Sequence, residues 1–145
     1  MMTLIMGGSG SGKSSYAEEY IHMLSGVKQK YYLATMQVFG EEGKKKVERH
    51  KKLREGKHFR TIEQPVSIEE ALGKMETGEK TALLECMSNL VANEMFQQEK
   101  CEKKEKTAGR IIKGITKLRK ELKHLVIVTN NVFEDGIQGA EVVRR

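Results

Sequence analysis

Residues 7–14 of the chain read GGSGSGKS and fit the pattern G-x-x-x-x-G-K-[S/T]. Glycines let such a loop turn tightly and bring its backbone N–H groups close to phosphate oxygens. The Lys13 ammonium is expected to neutralise the β- and γ-phosphates of a nucleotide, and the Ser14 hydroxyl to ligate Mg²⁺. The predicted phosphate-binding residues are Gly7, Gly8, Ser9, Gly10, Ser11, Gly12, Lys13 and Ser14.

The surroundings of this motif support the same interpretation. An apolar run at residues 3–6 precedes it and a helical pattern at 14–24 follows, so a buried strand would lead into the positive end of a helix. The alternative, a flexible Gly/Ser turn, is disfavoured because strand, spacing, lysine and hydroxyl are all present. The sequence therefore predicts that the chain binds a nucleoside triphosphate.

An acidic residue at the end of another buried strand commonly handles the metal, or its water shell, in proteins with this motif. Glu85 closes the apolar run TALLE and is the best candidate for that role. The alternative is an ordinary glutamate at the end of a strand.

One of the four histidines stands out from the others. His50 lies within KKKVERHKKLR, whereas His22 and His124 fit structural or exposed positions. Clustered cations lower the pKa of an imidazole by like-charge repulsion and favour its neutral, nucleophilic form near pH 7. The same cations would hold an incoming polyphosphate. Taken alone, the pattern favours a solvated charged face with an incidental histidine.

Strand and helix patterns alternate along the chain, which predicts an α/β fold with a mostly parallel sheet flanked by helices. Strands are predicted at 3–6, 31–34, 81–86 and 125–129, with a possible short one at 59–62. Helices are predicted at 14–24, around 68–72, from 90 to 96 and at 111–122. The charged stretch between Gly40 and Gly56 is expected to be a solvated helix or a mobile arm.

Composition limits the class of protein. The 145 residues suit one domain spanning 1–145, and two cysteines cannot build a disulfide framework, so a reduced cytoplasmic location is expected. The longest aliphatic run, 125–128, is too short to span a membrane, and the start of the chain does not fit a signal peptide. The net charge of +6 suits a polyphosphate ligand. No nucleic-acid partner is expected, because the lysines are mixed with glutamates and no RNA-binding signature with interleaved aromatics appears.

Several stretches together resemble one enzyme family, the bifunctional adenosylcobinamide kinase/adenosylcobinamide-phosphate guanylyltransferases of cobalamin biosynthesis. The matching stretches are LIMGGSGSGKSSYAEEYI, YLATMQ, VERHKKLREGKHFRTIEQP, ALLECMSNLVANEMF and LVIVTNNVFEDGI. They follow the family's order over residues 3 to about 137. The glycine motif alone identifies a superfamily, whereas the histidine segment followed by FRTIEQP, LLEC and LVANEMF is specific.

The resemblance implies two reactions. A nucleoside triphosphate, ATP or GTP, phosphorylates the terminal hydroxyl of adenosylcobinamide. GMP then passes from GTP to that phosphate through a guanylylated histidine, which corresponds to His50; His58 is the other imidazole nearby. The resemblance also implies a P-loop NTPase-like, three-layer fold, Mg²⁺ as cofactor and a homotrimer. The family's chains continue beyond the point where this sequence stops, so a fold lacking the last family elements is expected.

The resemblance further assigns site residues position by position. The catalytic pair is His50 and Lys13. Nucleotide contacts beyond the glycine motif fall on Ala34, Thr35, Met36, Lys51, Lys52, Leu53, Arg54, Glu63 and Glu85, and the metal contacts on Ser14 and Glu85. Two alternatives stay open: a GTP-binding module without turnover, and a kinase-only enzyme with another small hydroxyl substrate.

Overall fold

The computed structural model describes residues 1–7, 12–25, 29–36, 40–53, 56, 59–76, 78–96, 104–129 and 140–144. Six strands are β1 (Met2–Met6), β2 (Lys30–Ala34), β3 (Phe59–Glu63), β4 (Thr81–Leu84), β5 (His124–Thr129) and β6 (Ala140–Arg144). Four helices are α1 (Lys13–Ser25), α2 (Gly40–Leu53), α3 (Met87–Phe96) and α4 (Lys104–Glu121), and a 3₁₀ helix spans Ile68–Lys74.

The six strands form one sheet in the order β3-β2-β4-β5-β1-β6, and every neighbouring pair is parallel. The predicted parallel α/β fold is therefore confirmed. Because all strands run the same way, their carboxyl ends meet at one edge of the sheet. That edge, here called the carboxyl edge, is where the segments after Met6, Ala34, Glu63, Leu84 and Thr129 begin.

Alternate side chains of β1 to β5 pack on opposite faces of the sheet, which makes three layers. One face carries Leu4, Leu84 and Ile127 and is covered by α3, α4 and the 3₁₀ helix. The other face carries Ile5 and Val126 and is covered by α1. Apolar burial on both faces explains why the central strands read as continuous apolar runs in the sequence.

Two segments differ from what the sequence pattern predicts or leaves open. The charged stretch forms α2, so the helical option holds rather than the mobile arm. A strand at residues 140–144 is not predicted by the pattern, yet β6 pairs with β1 along its whole length. Its segment, AEVVR, has only two consecutive apolar residues between Glu141 and Arg144, so the pattern alone does not identify it as a strand. Within the described part of the chain, no helix has the length and apolar character that crossing a bilayer requires.

Candidate functional site

The two ends of the glycine motif are placed by β1 and α1. Gly7 is buried directly after β1 and its N–H donates to the Thr129 carbonyl over 3.4 Å. Gly12 precedes α1 with φ +79°, a left-handed conformation that favours glycine, and its carbonyl accepts the Tyr16 N–H at 3.1 Å. Strand, motif and helix therefore follow one another as predicted. Gly8, Ser9, Gly10 and Ser11 lie outside the described residues.

The first turn of α1 has the polarity that an anion requires. Lys13 is half-buried and Ser14 is exposed, and the first turn holds no acidic residue. The N–H groups at this end therefore keep their positive polarity, which favours phosphate oxygens. The Ser14 hydroxyl oxygen is the kind of hard ligand that Mg²⁺ accepts, together with phosphate oxygens and water. Its role as a ligand stays a prediction.

Glu85 lies at the carboxyl edge, as the sequence analysis predicts. It follows β4, and its N–H donates to the Leu33 carbonyl at 3.1 Å, so its backbone extends the ladder with β2. Only β5 separates β4 from β1, and two strand spacings amount to about 10 Å. The half-buried Glu85 is therefore on the same edge of the sheet as the motif, and its role at a metal stays a prediction. Within the described residues, no group of three or more His, Cys, Asp and Glu could hold a metal by itself.

The segment after β2 is fixed by buried hydrogen bonds. The Thr35 side chain is fully buried and its Oγ1 donates to the Cys86 carbonyl at 3.0 Å. The Thr35 hydroxyl therefore already has a structural contact with the segment after β4. Ala34 and Met36 are half-buried beside it. A nucleotide contact by Ala34, Thr35 or Met36 stays a prediction.

Two predicted site residues lie next to each other at the far end of the carboxyl edge. Lys51 Nζ is 3.7 Å from Glu63 Oε1, and both side chains are about half exposed. This ion pair places the last turns of α2 beside the end of β3. His50 and Leu53 belong to α2, Lys52 is exposed there, and the His50 and Leu53 side chains, with Arg54 and His58, lie outside the described residues.

The strand order separates α2 from the glycine motif. β3 and β1 are four strand spacings apart, about 19 Å. The carboxyl edge therefore has two predicted parts, one at the motif with Glu85 and one at Lys51 and Glu63, with the segment after β2 between them. The structure shows contact between Lys51 and Glu63, whereas Glu85 and the motif share the edge two strand spacings apart.

A pair of residues that the sequence analysis does not assign connects these segments. Asn93 Nδ2 donates to the Thr35 carbonyl at 2.6 Å and to the Pro65 carbonyl at 2.9 Å. The neighbouring Glu94 is buried and accepts the Ser67 N–H at 2.7 Å. An amide and a carboxylate inside the otherwise apolar helix pattern LVANEMF are the signal that could have indicated them.

The family model described as cobinamide kinase / cobinamide phosphate guanyltransferase matches residues 3–145. The bifunctional adenosylcobalamin biosynthesis protein CobU of Escherichia coli (strain K12) is 35% identical over 96 residues, covering 66% of this chain and 51% of that protein. Its counterpart in Salmonella typhimurium is 32% identical over 96 residues, with the same coverage.

The aligned part of the chain thus spans about half the length of the curated relatives it matches. The family match, in contrast, covers nearly the whole chain and includes both ends of the glycine motif, α2 and the segment after β4. The resemblance stated from the sequence is confirmed. The chain belongs to the cobinamide kinase / cobinamide phosphate guanyltransferase family.

Proposed function

We propose that the chain is a transferase of cobalamin biosynthesis that phosphorylates adenosylcobinamide and then transfers GMP from GTP to the resulting phosphate. The observation that carries this proposal is the glycine motif, set between β1 and α1 at the carboxyl edge within a family match over residues 3–145. Parallel α/β proteins bind nucleotides at this edge of the sheet. The two named relatives are described as bifunctional adenosylcobalamin biosynthesis proteins.

In the kinase step, the substrate hydroxyl oxygen attacks the γ-phosphorus of the triphosphate and the nucleoside diphosphate leaves. The motif N–H groups and the Lys13 ammonium hold the β- and γ-phosphates and stabilise the charge that moves onto the leaving oxygen. Mg²⁺, when bound, supplies further neutralisation of phosphate charge. Ser14 would ligate it directly, and Glu85 would orient its water.

In the guanylyl step, a neutral His50 nitrogen attacks the α-phosphorus of GTP. An N–P bond forms, the bond from the α-phosphorus to the bridging oxygen breaks, and pyrophosphate leaves. An oxygen of adenosylcobinamide phosphate then attacks the same phosphorus and releases the imidazole. Lys51 and Lys52 flank His50 on α2 and would attract the anionic substrates.

The separation of about 19 Å between β3 and β1 bears on this second step. A single triphosphate pocket that serves both reactions requires His50 on α2 to approach the α-phosphorus of a GTP seated on the motif. The Lys51–Glu63 ion pair is exposed at both ends and is worth at most about 1 kcal/mol. Breaking it is therefore no large barrier to such an approach.

The test is intact-mass spectrometry of the protein after incubation with GTP and Mg²⁺. The wild type should gain the mass of one GMP moiety, acid-labile as a phosphoramidate is, and His50→Ala should not. His58→Ala is the matched control, because it removes the other imidazole of the same region and should leave the adduct intact. A GMP adduct of unchanged yield on His50→Ala would contradict the proposed intermediate.

The same separation favours a second candidate, a GTP-binding module without turnover. Both candidates predict binding of GTP, and they differ in product. Incubation with GTP, Mg²⁺ and adenosylcobinamide should give phosphorylated and guanylylated corrinoid if the enzyme proposal is right. GTP binding with neither product would support the binding module, and phosphorylation without a GMP adduct would support a kinase alone.

A further inference from the structure

The backbone hydrogen bonds that join β2 to β3 and to β4, here called ladders, end near residues 34–36. Nucleotide contacts are predicted at these residues. Towards β3, the last ladder bond runs from the Gln64 N–H to the Ala34 carbonyl at 2.9 Å. Towards β4, the last bond runs from the Glu85 N–H to the Leu33 carbonyl at 3.1 Å.

The Thr35 carbonyl is the next acceptor on the β4 side, because carbonyls on one side of a strand recur at every second residue. Its donor in a continued ladder would be the N–H of Met87, but Met87 is the first residue of α3. Asn93 from the same helix replaces that donor with its side-chain amide, at 2.6 Å from the Thr35 carbonyl. A second bond from the same Nδ2, 2.9 Å long, goes to the Pro65 carbonyl. Both hydrogens of one amide nitrogen thus join the ends of β2 and β3.

Neighbouring contacts make this connection rigid. Ser67 has φ +49°, a left-handed conformation that costs energy for a residue with a Cβ. Its N–H is held by Glu94 Oε1 at 2.7 Å, and Glu94 Oε2 lies 3.4 Å from Arg110 Nε on α4. Consecutive residues of α3 therefore hold the 65–67 segment at two points, and a strained backbone persists where the surroundings fix it in this way.

We propose that Asn93 is a positioning residue for the nucleoside end of the bound triphosphate. It holds the backbone of Thr35 and Pro65, and through them it sets the places of Met36 and Glu63. The β2 end is three strand spacings from β1, about 14 Å, so a triphosphate seated on the glycine motif would meet this segment with its nucleoside and not with its phosphates. The inference rests on the proposed function, because it needs a nucleotide at the motif.

The experiment compares two ligands by isothermal titration: GTP with Mg²⁺, and inorganic tripolyphosphate with Mg²⁺. Asn93→Asp keeps the shape of the side chain and removes both donors. We expect its Kd for GTP to rise about tenfold, which equals about 1.4 kcal/mol, while its Kd for tripolyphosphate stays within about twofold of the wild type. Asn93→Ala serves as a second variant if the added carboxylate prevents folding.

Leu90→Val is the matched control. Leu90 is on the same helix and is 1% exposed, so its shortening loosens the core while the Asn93 amide keeps both of its donors. It should lower the unfolding temperature and leave both Kd values unchanged. A purely structural role for Asn93 predicts the same behaviour for the Asn93 variants.

The outcomes separate the inference from the proposed function. A selective loss of GTP affinity in the Asn93 variants supports the inference. Unchanged affinities, an equal loss for both ligands, or an equal loss in Leu90→Val would each overturn it. Wild-type protein that binds neither ligand would instead refute nucleotide binding itself, and the inference with it.

Discussion

Glu94 offers the sharpest test of how the carboxyl edge is held together. Only 7% of this residue is exposed, and its two oxygens serve different partners, the Ser67 N–H at 2.7 Å and Arg110 Nε at 3.4 Å. Replacing Glu94 by alanine leaves the Ser67 N–H without its acceptor and deletes a charge-assisted bond. A buried donor left unsatisfied costs about 1–3 kcal/mol, and a bond to a charged group is worth about 1.5–3 kcal/mol.

The Arg110 side chain adds little to this cost, because 38% of it is exposed and water can solvate the guanidinium. We therefore expect Glu94→Ala to lower the free energy of unfolding by about 3 kcal/mol. Glu94→Gln keeps an oxygen for Ser67 and loses only the charge, so it should cost about 1 kcal/mol. With an unfolding entropy of about 2.1 cal/mol/K per residue over 145 residues, 3 kcal/mol lowers Tm by about 10 °C.

Urea denaturation followed by circular dichroism measures these differences, and a thermal scan checks the Tm. Glu19→Ala is the control, since it removes an exposed glutamate from α1 and should change stability by less than about 0.5 kcal/mol. Equal losses in Glu94→Ala and Glu94→Gln would show that the bond to Ser67 contributes nothing, and the reasoning would fail.

Two further predictions concern stability. A Cβ at Gly114 would lie 3.1 Å from the Ile68 side chain and 2.5 Å from Glu69 Oε2, whereas a Cβ at Gly109, on the same helix, meets nothing within 4 Å. Gly109→Ala should therefore raise the free energy of unfolding by about 1 kcal/mol through its helix propensity, seen as a higher urea midpoint, and Gly114→Ala should gain less or lose stability. Equal gains would contradict the close approach. Burial, the positive N-terminus and Lys123 lower the pKa of His124 below its ordinary value of 6.5. The folded state then binds fewer protons than the unfolded state, so stability is present above pH 6.5 and is lost as the pH falls towards the folded-state pKa. The urea midpoint should fall less from pH 8 to pH 5.5 in His124→Gln than in the wild type, and parallel falls would count against this assignment.

The parts of the fold that are formed by residues close together in the sequence could be predicted from it. The glycine motif, its preceding strand and its following helix lie within about 25 consecutive residues, and the structure confirms their order. Glu85 is placed at the carboxyl edge because the end of a parallel strand determines the edge. In contrast, β6 is not predicted, since its position follows from pairing with β1 and not from an apolar pattern of its own.

The contacts that arrange the candidate site are long-range and could not be predicted in the same way. Asn93 bonds residues 58 and 28 positions away, and nothing in LVANEMF identifies those partners. The ion pair of Lys51 with Glu63 likewise depends on how α2 packs against the end of β3. The resemblance assigned both residues to one function without showing that they touch. The distance between α2 and the motif follows only from the strand order.

The position of β1 has a consequence for how the chain matures during translation. β1 lies between β5 and β6, and Met2 pairs with Leu125 and Ala140, so the strands that pair with β1 are synthesised long after it. At ribosomal rates of about 5–20 residues per second, roughly 6–24 s pass before those partners exist. Until then the apolar MTLIM segment needs protection from aggregation, for which chaperones are the ordinary means. A ligand that binds the loop after this strand can therefore stabilise the folded chain, but it cannot stabilise the nascent chain.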